Sequence, residues 1–423
     1  MTFNRRQFGQ LLGAGAVATG MSTKALYGAG KPKVVVIGGG AGGATAARYI
    51  AKDSKGAIDV TLIEPTRKYY TCFFSNLYIG GFRDLSSIGH TYGKLASEYG
   101  VNVVHDWAVD VDREVKQVVL ASGGRVSYDK LIVSPGIDFK YDSVPGYGIE
   151  AQNTMPHAWK AGSQTENLRA RVTGMKEGGT FVLVPPTNPF RCPPGPYERV
   201  SMIAHVFKQS NPTAKIVILD PKEKFSKQGL FVDGWDRHYD GMIEWLPKSI
   251  HGGVTRVDSN TMEIETDLDT FQADAACVIP AQTAGRIAHL AGLTDGGDWC
   301  PIVPASMQSK VDKHIHVIGD ASIAKSMPKS GFSANSQAKV AANAIRGELT
   351  GSKVFPAKFG NTCWSLIAAD DGIKVGAKYD AGDAKIEKTS GFISKNDEDA
   401  DKRAQTYEES VGWYKGITTD MFG

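Results

Sequence analysis

The sequence contains no C-x-x-C-H, so this chain attaches no c-type haem by the usual signature, and any haem must sit on a partner. Long apolar stretches are lacking too. The Gly/Ala/Leu/Val-rich run ending near Met21 covers about 14 residues, against the roughly 20 that a spanning helix needs. A net excess of either charge is nearly absent: 48 Lys and Arg face 45 Asp and Glu, and residues 1–30 contribute Arg5, Arg6 and Lys24 with no acid. Without that segment no formal net charge remains, which excludes the basic footprint of a nucleic-acid binder. Cysteine is scarce, with Cys72, Cys192, Cys277, Cys300 and Cys363 forming an odd set that leaves at least one outside any disulfide.

With 423 residues and 42% hydrophobic content, the chain has enough material for two or three domain cores. Its start reads Asn4-Arg5-Arg6-Gln7-Phe8, then the short apolar run, then small residues from Ala25 to Gly30. Charged, apolar and cleavage regions in that order predict a signal peptide over residues 1–30, and the paired arginines predict the twin-arginine route. The expected destination is the periplasm, an oxidising compartment where disulfides persist. No integral membrane segment is expected after cleavage.

Lys33 to Ile37 is a β-branched apolar run, followed by Gly38-Gly39-Gly40-Ala41-Gly42-Gly43 and a good helix opening from Ala44 to Ile50. In a strand, glycine turn and helix of this kind, Gly38 permits the tight turn and Gly40 lets the backbone approach a pyrophosphate. Gly43 lets helix and strand pack closely, and the helix N-terminus faces the phosphate charge. A second strand-like run, Asp59 to Ile63, ends in Glu64, 21 residues after Gly43 and placed for a ribose hydroxyl. Together these predict an ADP-containing dinucleotide.

Downstream, Ile315-His316-Val317-Ile318-Gly319-Asp320-Ala321 resembles the strand-Gly-Asp element of two-dinucleotide-domain flavoproteins, in which the acid binds the ribityl chain. Tyr128 to Gly136 resembles the strand closing the first half of their FAD domain, with its usual small-residue ending changed to Ser134-Pro135-Gly136. The expected fold is therefore α/β, with two disulfide-reductase-like Rossmann domains and a C-terminal interface domain. A discontinuous FAD domain is expected over 31–150 and 270–350, an inserted Rossmann-like domain over 151–269, and a C-terminal flavin-covering region over 351–423.

In relatives that use NAD(P)H, the inserted domain opens with its own glycine-rich turn. Here the strand Thr180 to Val184 runs instead into Pro185-Pro186-Thr187-Asn188-Pro189-Phe190-Arg191-Cys192-Pro193-Pro194-Gly195. Prolines offer no N–H to a phosphate and fix φ, so NAD(P)H is not the expected reductant.

The loop from Arg191 to Arg199, the segment Pro156 to Gly162, and Asn361-Thr362-Cys363 resemble the flavoprotein subunit of flavocytochrome c sulfide dehydrogenase, across essentially the whole mature chain. So do Tyr69-Tyr70-Thr71-Cys72, Met327 to Ser336, and Asp420-Met421-Phe422-Gly423. The resemblance implies a redox-active disulfide between Cys192 and Cys363, 171 positions apart, which sulfide attacks. It also implies a thioether from Cys72 to the 8α carbon of FAD, and a small c-type cytochrome subunit as partner in a heterodimer. Which cysteine receives sulfide stays open.

The expected cofactor-binding positions are Gly38, Gly40, Gly43, Glu64, Cys72, Val109, Asp320 and Lys329; the catalytic ones are Cys192, Cys363 and Glu198. Glu198 either takes a proton from hydrogen sulfide or pairs with Arg199 or Arg191. Lys329, or the N-terminus of the helix after it, is expected either at the flavin N1/O2 edge or simply in capping that helix. Cys277 and Cys300 read as core residues. The aromatics Trp364, Tyr379, Phe392, Tyr407, Trp413, Tyr414 and Phe422 serve either an interface or a small core. Two other functions stand beside sulfide dehydrogenase: a sulfide:quinone oxidoreductase, disfavoured by the charged Ser394 to Arg403 stretch, and a protein that repairs a sulfane-sulfur carrier with the same cysteines.

Overall fold

Val34 to Ile37 has no polar face, and such a run is stable only where both sides of a parallel sheet are covered. In the computed structural model, which describes residues 30–423, Lys33–Ile37 lies inside a seven-stranded sheet, next to its central strand Lys130–Val133. The expected signal peptide, all but its last residue, lies outside the described residues. On one side of Lys33–Ile37 run Asp59–Ile63 and Asn102–Val104; on the other run Lys130–Val133 and Ile315–Val317, all parallel. Successive strands thus leave the first strand in opposite directions. That reversal opens a crevice beyond the strand ends, where open α/β sheets bind ligands. Two short antiparallel strands, Ile302–Val303 and Gln308–Ser309, close the far edge.

A second sheet, parallel throughout, is ordered Ile243–Pro247, Lys215–Asp220, Thr180–Val184, Ala275–Val278. The two parallel sheets bear out the expected fold class. Strand Thr180–Val184 enters helix Gly195–Ser210 through the ten-residue proline-rich loop. A three-stranded antiparallel sheet, Lys358–Ala368, Asp371–Ala381 and Ile386–Ile393, follows the 20-residue helix Gly331–Thr350.

The last helix, Ala400–Phe422, then returns to the first domain. Its Asp420 accepts a hydrogen bond from Tyr49 Oη at 2.8 Å and ion-pairs with Lys339, joining three helices at one carboxylate. The C-terminal aromatics divide. Tyr379, Tyr414 and Phe422 are buried, whereas Phe392 is 50% exposed next to an equally exposed Ile393. Among the described residues, no helix is long and apolar enough to cross a membrane.

Candidate active site

The glycine turn is held by contacts that leave no space for side chains. Gly38 has φ +95°, and a Cβ there would stand 2.3 Å from the Ser134 carbonyl oxygen. A Cβ on Gly43 would stand 1.8 Å from the Gly38 carbonyl, the close helix-strand approach the motif predicts. Gly40, by contrast, lines an open cleft of about 470 Å³, together with Glu64, Ser134, Gly319 and Asp320. Past Glu64 and Thr66 the cleft continues into a second space of about 670 Å³ lined by Trp107, Val109, Arg286 and Leu290.

Glu64 is fixed there. One carboxylate oxygen accepts from Gly39 N at 2.8 Å, and the other accepts from Thr66 N and Oγ1. Asp320 sits in a single 3-10 turn, 8% exposed, and its buried Oδ1 has no hydrogen-bond partner among the described residues. A buried, unpartnered acceptor facing a glycine-floored cleft fits a polyhydroxylated dinucleotide, because leaving such an atom unpaired is costly. The residues present therefore fit FAD.

At one end the cleft meets a second, mostly apolar cavity, with Cys72, Phe73, Arg191 and Gly331 lining both. This second cavity brings together Cys192 from the proline loop, Cys363 from strand Lys358–Ala368, and Glu198 from helix Gly195–Ser210. All five cysteines are free thiols in the structure. Cys192 adopts a left-handed conformation, φ 57°, held by Cys192 N donating to Lys329 O at 2.7 Å and Gly195 N donating to Cys192 O at 2.8 Å. Gly195 is required beneath it, since a Cβ would come 3.1 Å from Cys192 Sγ and 2.8 Å from the Trp159 ring. Phe73, Phe332, Trp364 and Trp413 wall the cavity, with Trp364 and Trp413 centroids 5.2 Å apart and Phe332 stacked on Trp413 at 6.1 Å.

Burial sets the electrostatics. It pushes the Cys192 thiol well above its ordinary range, and the neighbouring Cys363 and Glu198 add to the effect. Cys363 is raised by burial as well, opposed by a hydrogen bond from Asn361 and by the charge of Lys227. Glu198 is raised by burial against hydrogen bonds from Asn76 Nδ2 at 2.8 Å and Leu366 N at 3.0 Å. Its carboxylate makes no ion pair with Arg199 or Arg191 among the described residues. Arg199 instead donates to the carbonyls of His157 and Ala158, and Arg191 faces Asp320 at 3.9 Å.

Most expected site residues thus line one continuous pair of cavities. Lys329 does not line either: its Nζ donates to the carbonyls of Asp320 and Ser322 and lies 3.6 Å from the Trp299 ring centroid. Two carbonyls and an aromatic face hold the ammonium behind the turn. It is the N-terminus of helix Gly331–Thr350, capped by Ser330 Oγ accepting from Ser333 N, that faces the cleft. Cys277 and Cys300 are fully buried in the core, and Cys277 Sγ contacts Arg199.

Sequence reasoning missed Arg191 as one of the residues lining both cavities, Asn76 as a partner of Glu198, and Lys227. Nothing local distinguishes Lys227, because Lys222-Glu223-Lys224-Phe225-Ser226-Lys227 reads as a solvated loop.

Residues 165–280 match the family described as sulfide dehydrogenase (flavocytochrome c) flavoprotein chain, central, and residues 356–422 match flavocytochrome c sulphide dehydrogenase, flavin-binding. Residues 32–174 match pyridine nucleotide-disulphide oxidoreductase. A short flavocytochrome c sulfide dehydrogenase flavoprotein chain from Chlorobaculum thiosulfatiphilum is 51% identical, covering 11% of this chain and 96% of its own length. The mitochondrial sulfide:quinone oxidoreductase of Mus musculus is 26% identical over 68% of this chain, which spans 65% of that relative's length. In fold, the sulfide:quinone oxidoreductase of Aquifex aeolicus superposes with a TM-score of 0.71 at 15% identity, over 92% of this chain and 91% of its own. With a glycine-floored cleft that meets a cavity holding Cys192 and Cys363, and matches to its central and flavin-binding models, this protein belongs to the family of flavocytochrome c sulfide dehydrogenase flavoprotein chains.

Proposed function

We propose that the chain is the flavoprotein subunit of an exported sulfide dehydrogenase, oxidising sulfide to sulfane sulfur or polysulfide through a Cys192–Cys363 disulfide and FAD. Electrons leave to a c-type cytochrome subunit. The observation that carries this reading is the meeting of Cys192, Cys363 and Glu198 in one buried cavity that shares Cys72 and Arg191 with the dinucleotide cleft.

Hydrosulfide attacks one sulfur of the disulfide. The S–S bond breaks, a new one joins the incoming sulfur to that cysteine, and the electron pair leaves with the other cysteine as a thiolate. Glu198, once ionised, accepts a proton from hydrogen sulfide and so keeps the nucleophile in its anionic form. The walls formed by Phe73, Phe332, Trp364 and Trp413 limit bulk water at the reacting sulfurs. Gly38, Gly40, Gly43, Glu64, Val109 and Asp320 would hold FAD, and Cys72 would tether it as a thioether. A second hydrosulfide would take the outer sulfur away as hydrogen disulfide anion and leave two thiols, and FAD, when bound, would supply the two-electron acceptor for their return to the disulfide. Folding around the cofactor before crossing agrees with twin-arginine export to the periplasm, and a covalent tether suits an enzyme that cannot readily recapture lost FAD.

A second reading draws on the likeness to sulfide:quinone oxidoreductases, in which quinone accepts the electrons. The test is sulfide-dependent reduction of a c-type cytochrome by the purified holoprotein with its cytochrome subunit, run beside a short-chain quinone. Rapid cytochrome reduction that Cys363→Ala lowers by at least about 100-fold is expected. Reduction of quinone alone would favour the second reading, and activity only with an added sulfur-carrier protein would favour carrier repair.

A further inference from the structure

Lys227 stands at the start of helix Gln228–His238 in a left-handed conformation, φ 63°, that a lysine adopts only when its surroundings hold it there. It is 6% exposed. Its Nζ donates to the Cys363 carbonyl at 3.2 Å and to Ser365 Oγ at 2.8 Å, both uncharged. No carboxylate lies within ion-pair distance of it among the described residues. The charged or ionisable groups facing it are Cys363, Glu198 and Cys192, from three different elements, while Phe231 on its own helix offers a ring 5.6 Å away. An ammonium buried with neutral hydrogen-bond partners calls for an anion nearby.

Asn361 provides a second donor to the same place. Its Oδ1 accepts from Ser330 Oγ at 2.5 Å and Ser333 Oγ at 3.3 Å, which fixes the amide so that Nδ2 donates to Cys363 Sγ at 3.4 Å. Cys192 Sγ receives no hydrogen-bond donor among the described residues, and it is the more exposed of the two sulfur-bearing residues. The two cysteines are therefore not equivalent: one is open to attack, and the other sits where negative charge is compensated.

We propose that Lys227 is a positioning residue for the exchange step, acting through Cys363 so that Cys363 leaves as the thiolate while Cys192 takes the incoming sulfur. This rests on the disulfide chemistry proposed above. In the balanced step, hydrosulfide bonds to Cys192 Sγ, the Cys192–Cys363 bond breaks, and the electron pair remains on Cys363 Sγ, which the Asn361 amide contacts and whose own residue's carbonyl holds the Lys227 ammonium. Burial brings Lys227 down to about 8, opposed by Cys363, Glu198 and Cys192, so the ammonium persists at neutral pH while those neighbours sustain it.

The experiment uses the reduced holoprotein, with iodoacetamide alkylation of Cys363 and Cys192 followed separately by peptide mass spectrometry across pH. In Lys227→Gln the Cys363 titration midpoint is expected to rise by about one pH unit, which slows its alkylation at pH 7 about tenfold. Lys227→Arg keeps the charge and restores most of the rate. Ser365→Ala, which removes one acceptor and leaves the charge, shifts Cys363 in the same direction by less, and decides the matter if Lys227→Gln does not fold. An unmoved Cys363 midpoint, or a shift confined to Cys192, would overturn the assignment. A Cys363 shift in a protein whose wild-type flavin does not respond to sulfide would instead retire the sulfide reading and leave the charge role standing.

Discussion

Glu198 has a carboxylate buried in the cysteine cavity and, among the described residues, no cation within ion-pair distance of it. Burial raises it above the usual carboxylate range, so its basic form appears only as pH climbs through that raised value. The rate of sulfide-dependent flavin reduction should therefore rise with pH along an acid limb that Glu198→Gln alters, leaving only the limb set by ionisation of hydrogen sulfide itself, with a loss of about 100-fold near neutral pH measured by stopped flow. An unchanged limb would assign the proton transfer elsewhere. Cys192 and Glu198 were visible in the sequence because their proline-rich context matched a specific family. Lys227 and Arg191 were not, since long-range folding alone buries a lysine among neutral partners or turns an arginine toward two cavities at once. The sequence offered Lys329 or the following helix N-terminus for the flavin edge; Lys329 is held by two carbonyls and the Trp299 face, while Gly331 at the helix start lines the cleft.

At the scale of elements, the glycine turn separates two effects that usually occur together. Gly43→Ala would push a Cβ into the Gly38 carbonyl, a backbone atom with no freedom to retreat, and should destabilise the fold by about 1–3 kcal/mol while also lowering flavin content. Gly40→Ala meets only the Tyr69 hydroxyl, at 3.1 Å, and faces the cleft. It should fold with nearly unchanged thermal stability as the apoprotein yet purify with little flavin, which absorbance ratio and calorimetry together would check. Both glycines were legible because a strand, a turn and a helix follow one another within twenty residues. The helix expected after Lys329 runs from Gly331 to Thr350 and is capped by Ser330 Oγ accepting from Ser333 N. The proline-rich loop was read as unfit for a pyrophosphate, and the structure uses it to hold Cys192 in a left-handed conformation beside a helix start.

For the whole molecule, two histidines tie stability to pH. Burial brings His157 down to about 3, with Lys160, Arg199 and Arg191 contributing, and brings His316 down to about 4. Both are neutral in the folded and unfolded chain above about pH 6.5. Below that value the unfolded chain takes up protons that the folded chain refuses, so stability is lost as pH falls from about 6.5 toward 4, by at most about 1.4 kcal/mol per pH unit for each histidine. Thermal unfolding across that range should show the decline, and His157→Gln should flatten it. The meeting of Cys192 with Cys363 also belongs to this scale. Spacing alone gives no reason to pair positions 171 apart, and only the packing of strand Lys358–Ala368 against helix Gly195–Ser210 brings the second cysteine to the first.

The central claim is that electrons enter through Cys192 and Cys363, and an anaerobic titration of the holoprotein with sulfide, following flavin absorbance in wild type and Cys192→Ser, tests it most directly. Stoichiometric bleaching in wild type and none in Cys192→Ser is the predicted result; wild-type flavin that stays oxidised, or equal bleaching in both proteins, would contradict it.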